Sequence, residues 1–214
     1  MGYTKRLQRS ASRRCFQRLG GYSVNKIVVV TGTPGVGKST VISRAVEKLR
    51  SARTDCEVIN YGDFMLKIAK EKAGVTDRDE MRKLSFDIYQ DIQKEAADDI
   101  ARVAERKLVL LDTHCTVKKP EGYYPGLPRW VLERLRPVTI VVIEAPPVEV
   151  LGRRTKDAKR RRDKELLAEI EEHQQLNRAI AMAYAAFTGA AVRIIVNKDG
   201  KLSDAVREMV DTLR

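Results

Sequence analysis

The chain has 214 residues, 43% of them hydrophobic and 33% charged, with a formal net charge of +12 at pH 7. That length suits one core, and the longest apolar runs, around Ile27–Val30, Leu108–Leu111 and Val138–Ile143, are strand-length, well short of the ~18–20 residues needed to cross a bilayer. Three irregularly spaced cysteines (Cys15, Cys56, Cys115) and two histidines fit neither a disulfide framework nor a zinc site, so the expectation is a protein of a reducing, cytoplasmic compartment with no membrane or transition-metal role.

The charge is uneven. Residues 1–24 carry six bases and no acid, giving +6, and residues 153–164 carry eight bases against Asp157 and Asp163, giving +6 again, so the remainder sums to zero. Each excess needs its own explanation. The first 24 residues are rich in Arg and Ser and close on Gly20-Gly21. They lack the apolar centre of a secretory signal, and are expected to be a disordered basic arm, a candidate contact for nucleic acid, or upstream sequence translated from an earlier start codon.

From Lys26 onward strand-like and helix-like runs alternate, which argues for βαβ units and a parallel sheet. The first strand, Lys26–Thr31, leads into Gly32-Thr33-Pro34-Gly35-Val36-Gly37-Lys38-Ser39, a full match to G-x-x-x-x-G-K-[ST] in the strand-then-helix context that motif requires. Glycines let backbone N–H groups converge on phosphate oxygens, and the following helix aims its positive end at the same place. Lys38 is expected to reach the β- and γ-phosphates, Ser39 to offer its hydroxyl to Mg²⁺, and Thr40 to assist at the α-phosphate. Val41, Ile42, Ala45, Val46 and Leu49 give the next helix its apolar stripe.

A second strand is expected at Glu57–Asn60, followed by a helix. Leu84, Ile88, Ile92, Ala96 and Ile100, four apart, predict a longer helix with one buried face. The third strand, Lys107–Asp112, is apolar and ends in a carboxylate, the form of a second nucleotide motif in which Asp112 helps to hold Mg²⁺. His114 is expected to bond to backbone or to Asp112. Gly122–Pro128 reads as a loop, Val138–Glu144 as the fourth strand, Glu165–Phe187 as a helix in which His173 is solvated, Val192–Asn197 as the fifth strand, and Ser203–Leu213 as a last helix capped by Ser203.

Taken in order, Gly32–Thr40, Asn60-Tyr61-Gly62-Asp63-Phe64-Met65-Leu66, Asp77–Leu84, Leu111-Asp112-Thr113-His114 and Gly122–Pro128 closely resemble the archaeal-type adenylate kinases, over about residues 25–214. The resemblance implies a P-loop NTPase three-layer α/β fold: five parallel strands flanked by helices, a monophosphate-binding segment between the second and third strands, and a lid at about 153–164. It implies ATP + AMP ⇌ 2 ADP with Mg²⁺, and a homotrimer. Family sequences usually begin near Lys26, so residues 1–24 are extra. Joining two polyphosphates requires positive charge on several sides and a lid that excludes water. The lid positions of the family correspond here to Arg153, Asp157, Arg160 and Arg162, and arginine forks suit phosphate.

Arg82 is the candidate for the AMP phosphate, against a plain surface pair with Asp79 three residues earlier. Arg78 is a second candidate. Gly62 and Asp63 look like the glycine–acid pair opening the monophosphate helix, where Asp63 could equally cap it. Tyr123, Tyr124 and Trp130 either stack on a base or pack in the core. Two other functions stay open: another nucleoside monophosphate kinase (CMP, UMP or dCMP), and an ATP-binding factor in ribosome or RNA metabolism, which the charge of +12 suggests.

Overall fold

The computed structural model describes residues 26–156 and 167–213. The basic arm and the lid positions Asp157, Arg160 and Arg162 therefore lie outside the described residues.

A parallel sheet of five strands forms the centre, in the order β2-β3-β1-β6-β7. These are β1 (Ile27–Thr31), β2 (Cys56–Asn60), β3 (Leu108–Asp112), β6 (Thr139–Glu144) and β7 (Ala191–Val196). Each lies within a residue or two of its expected place, because β-branched and leucine side chains without polar alternation fit only a sheet covered on both faces. β1 is buried throughout and sits between β3 and β6, with Val30 beside Asp112 and Thr31 beside Val142.

Two helical layers cover the sheet. Val28, Val30, Leu110, Val141 and Ile143 face α1 (Lys38–Ser51) and α8 (Leu202–Thr212). Ile27, Val29, Leu111 and Val142 face α2 (Tyr61–Ala73), α4 (Phe86–Ala104), α5 (Arg129–Leu135) and α7 (Leu167–Thr188). Short α3 (Arg78–Arg82) joins α2 to α4, and α6 (Pro147–Lys156) follows β6.

Four expectations are corrected. Gly122–Pro128 is not all loop: β4 (Thr116–Lys119) and β5 (Gly122–Pro125) pair as an antiparallel hairpin. The four-residue stripe on α4 is broken at its start, since the helix begins at Phe86 and Ile88 is exposed; a strict period of four drifts around a 3.6-residue helix. Ser203 does not cap α8, whose N-cap is Lys201 without a side-chain bond. His173 is buried rather than solvated.

Candidate active site

The P-loop sits at the carboxyl edge of the sheet because it follows the central strand. Val36 plugs the loop onto the core. Gly35 and Gly37 have φ of 91° and 82°, a region that side chains with a Cβ rarely enter. Gly37 is the N-cap of α1 and makes no side-chain cap bond, so the first-turn N–H groups of Lys38, Ser39 and Thr40 remain available to an anion.

Across the loop stands the end of β3. The Lys38 ammonium pairs with the Asp112 carboxylate and donates to the Thr113 carbonyl at 2.8 Å. Burial pulls the Lys38 pKa down, opposed by the charge of Asp112. Asn60 Nδ2 donates to the other Asp112 oxygen at 3.2 Å. His114 Nδ1 lies 3.3 Å from the Gly32 carbonyl; a carbonyl only accepts, so that nitrogen carries the proton. His114 as a residue is exposed, yet desolvation of its ring against the site, and then the nearby Lys38 charge, lower its pKa to about 4, so its imidazole is neutral near pH 7.

On the far side of Asp112 opens a cavity of about 530 Å³, lined by Gly62, Arg78, Arg82, Tyr124 and Trp130 among others. Asn60, not Asp63, caps α2, accepting from the Asp63 N–H at 3.1 Å. Asp63 instead pairs with Arg78, whose Nη2 lies 2.6 Å from it and 2.9 Å from Asn60 Oδ1. Arg78 also crosses directly over Gly62, where a Cβ would meet its Cζ at 3.0 Å. Arg82 makes the surface pair with Asp79 at 2.8 Å and is half-exposed, yet it too faces the cavity. Trp130 donates to Gln93 Oε1 at 3.1 Å, and Tyr124 lies under Lys119. Tyr123 is not with them; its ring tilts against His173.

Of the expected lid arginines, Arg153 falls among the described residues. Its guanidinium is held by Glu149 at 2.9 Å, Asp199 at 2.9 Å and the Asn197 and Val36 carbonyls at 3.0 and 3.2 Å. Arg154 reaches the Pro34 carbonyl with Nε at 2.9 Å and Nη2 at 2.6 Å.

Three groups near the site carry no recognisable signal in the sequence beyond a carboxylate ending β6. Arg178 of α7 binds both oxygens of buried Glu144, with Nε to Oε1 at 2.6 Å. Buried Asn197 donates to the Val36 carbonyl at 2.8 Å. On α7, His173 Nε2 meets the Thr116 hydroxyl at 2.9 Å, which in turn donates to Asn177 at 2.7 Å. His173, Gln174 and Asn177 share the inward face of the helix, and this polar contact with the hairpin is what buries the histidine.

Residues 31–171 match the family model described as an AAA domain. An adenylate kinase of Methanopyrus kandleri is 54% identical over 190 residues, which is 88% of this chain and 97% of that protein. One from Methanococcus vannielii is 46% identical over 89% of this chain and 99% of its own. In fold, the chain is similar to shikimate kinase from Bacteroides thetaiotaomicron, with a TM-score of 0.52 at 16% identity over 87% of this chain and 97% of that one.

Proposed function

This chain belongs to the archaeal-type adenylate kinase family, and we propose that it transfers a phosphoryl group reversibly from ATP to AMP, giving two ADP, and so serves nucleotide homeostasis. One observation carries the reading: Asp112 both meets the P-loop lysine and lines the cavity beside it. An ATP on the loop and a monophosphate in the cavity would therefore share a wall, with their reacting phosphates adjacent, which is the proximity that in-line transfer needs.

In this proposal the triphosphate lies in the cradle Gly32-Thr33-Pro34-Gly35-Val36-Gly37-Lys38-Ser39-Thr40, and Lys38 leaves Asp112 to follow the transferring phosphoryl group. The monophosphate lies against Gly62 and Asp63, with its phosphate between Arg82 and Arg78. Arg160 and Arg162 are proposed to close over the phosphates from the basic run. His114, neutral and bound to the Gly32 carbonyl, orients the loop rather than moving a proton.

The residues present fit Mg²⁺. Ser39 and Asp112 line one groove, and the donors are oxygens; a hard cation that keeps several waters and takes phosphate oxygens needs no more from the protein. No cluster of three or more His, Cys, Asp or Glu exists among the described residues to hold a metal by itself. Bound there, Mg²⁺ would neutralise charge on the β- and γ-phosphates. We further propose a kinase domain over 25–214 with 1–24 appended, a homotrimer as in the resembled family, and a cytoplasmic location. Among the described residues no helix is long and apolar enough to cross a membrane. Assay of ADP formation from ATP with AMP, CMP, UMP and dCMP tests the function.

A further inference from the structure

A P-loop binds phosphate only while its N–H groups point inward. In a trans peptide C=O and N–H lie on opposite sides, so holding the carbonyl of one residue outward points the N–H of the next residue inward. The peptides most free to flip are those ahead of glycine, here Pro34–Gly35 and Val36–Gly37.

Side chains from outside the loop hold both. Asn197, at the end of β7, donates Nδ2 to the Val36 carbonyl at 2.8 Å, and Arg153 Nη1 donates to the same oxygen at 3.2 Å. Arg154 grips the Pro34 carbonyl through Nε at 2.9 Å and Nη2 at 2.6 Å. The packing leaves no slack: a Cβ on Gly37 would stand 2.4 Å from Asn197 Nδ2, and one on Gly35 3.1 Å from Arg154 Cγ.

The holders are themselves fixed. Asn197 is 6% exposed, and its backbone N–H donates to the Glu144 carbonyl at 2.8 Å. Arg153 is pinned by Glu149 and Asp199, and the Asp199 N–H closes the ring by donating to Glu149 at 2.7 Å. Helix α6, the β7–α8 loop and the P-loop thus form one hydrogen-bonded unit.

We propose that Asn197, Arg153 and Arg154 are positioning residues that lock the Val36–Gly37 and Pro34–Gly35 peptides with carbonyls outward, presenting the Gly37 and Gly35 N–H groups to the triphosphate. Arg153 then holds the loop from behind, and the position of α6, which leads into the basic run, is coupled to the shape of the cradle. This rests on the nucleotide-binding reading of the loop.

Asn197 decides the matter, because it is buried behind the loop and its side chain donates to the Val36 carbonyl. The experiment compares wild type, Asn197→Ala and Asn197→Asp by steady-state kinetics with ATP and AMP varied separately, by melting without nucleotide, and by the ¹H–¹⁵N resonances of Gly35, Gly37 and Gly62. For Asn197→Ala the ATP KM should rise roughly five- to tenfold, the worth of one lost hydrogen bond, while the AMP KM holds. The Gly37 resonance should move or broaden and that of Gly62 should not. Asn197→Asp should lose more, since a carboxylate oxygen then faces the Val36 carbonyl. An unchanged Gly37 resonance with an unchanged ATP KM would overturn the proposal, as would equal losses for ATP and AMP tracking the fall in melting temperature. If wild type makes no AMP-dependent ADP, the functional reading fails, and the Gly37 resonance still decides this one.

Discussion

The Lys38 ammonium rests against the Asp112 carboxylate and the Thr113 carbonyl, so the lysine expected to follow the transferring phosphoryl group waits, without nucleotide, on the carboxylate expected to hold the metal. Side-chain exposures of 11% and 13% make this a nearly buried pair. Removing one partner of such a pair costs more than the pair contributes.

Lys38→Met should therefore lose activity and stability together. The activity loss should be roughly 10²–10³-fold in kcat, as for one preorganised electrostatic donor. The melting temperature should fall by several degrees, each kcal/mol being worth about 2–4 °C in a chain of this size, because among the described residues Asp112 keeps the Asn60 bond alone. Lys38→Met with Asp112→Asn should regain the melting temperature and none of the activity. Near-normal turnover in Lys38→Met would contradict the P-loop assignment.

Arg78 and Arg82 both line the cavity but are held differently. Arg78 ties the α2 cap to Asp63 over Gly62, while among the described residues Arg82 is held by Asp79. Arg82→Ala should raise the AMP KM about tenfold or more, the loss of one charged hydrogen bond, with the ATP KM unchanged. Arg78→Ala should do the same and also lower the melting temperature. An equal loss of ATP affinity in Arg82→Ala would place that residue in the other site or in the fold.

The strands and the P-loop were legible from Lys26 to Asn197 because a doubly covered strand and a phosphate cradle each demand residue types that little else requires. What sequence could not show is which polar side chains meet across the chain. Asn197 lies 161 residues from Val36, and nothing local in Asn197-Lys198-Asp199-Gly200 points to the P-loop. His173 sits in a charged stretch, Glu171-Glu172-His173-Gln174, that reads as solvated until the hairpin packs against it. Asp63 and Asn60 both favour capping, and three residues of register decide which does it.

Stability should respond to pH through His114. Its folded pKa lies at about 4, below its unfolded value near 6.5, so between those values the unfolded chain binds the extra proton and stability rises with pH. The contribution is complete above about pH 7 and is lost as pH falls through 6.5 toward 4. The ring faces the open cavity, where water screens part of the effect. Chemical denaturation of wild type and His114→Gln between pH 7.5 and 4.5, on the order of three units spanning that window, should show a shallower fall for the variant. Parallel curves would assign the loss to other groups.

The basic run also makes a prediction. Residues 153–164 carry eight bases against two acids, half the net charge, with almost no apolar side chain; beyond Arg153 and Arg154, which grip the P-loop, such bases are expected to add little to stability. Arg160→Ala with Arg162→Ala should lower ADP formation far more than the melting temperature, and should raise the ratio of ATP hydrolysis to AMP phosphorylation, since closure shields the phosphoryl group from water. An unchanged rate and ratio would assign the run to some other polyanion.

The most direct test is a coupled assay of ADP formation from ATP and Mg²⁺ with AMP, CMP, UMP or dCMP as acceptor. With AMP two ADP should form per ATP consumed, and kcat/KM for AMP should be at least about tenfold above the others, the worth of one missed polar contact to the base. Preference for a pyrimidine monophosphate, or ATP turnover that does not depend on AMP, would contradict the proposed function.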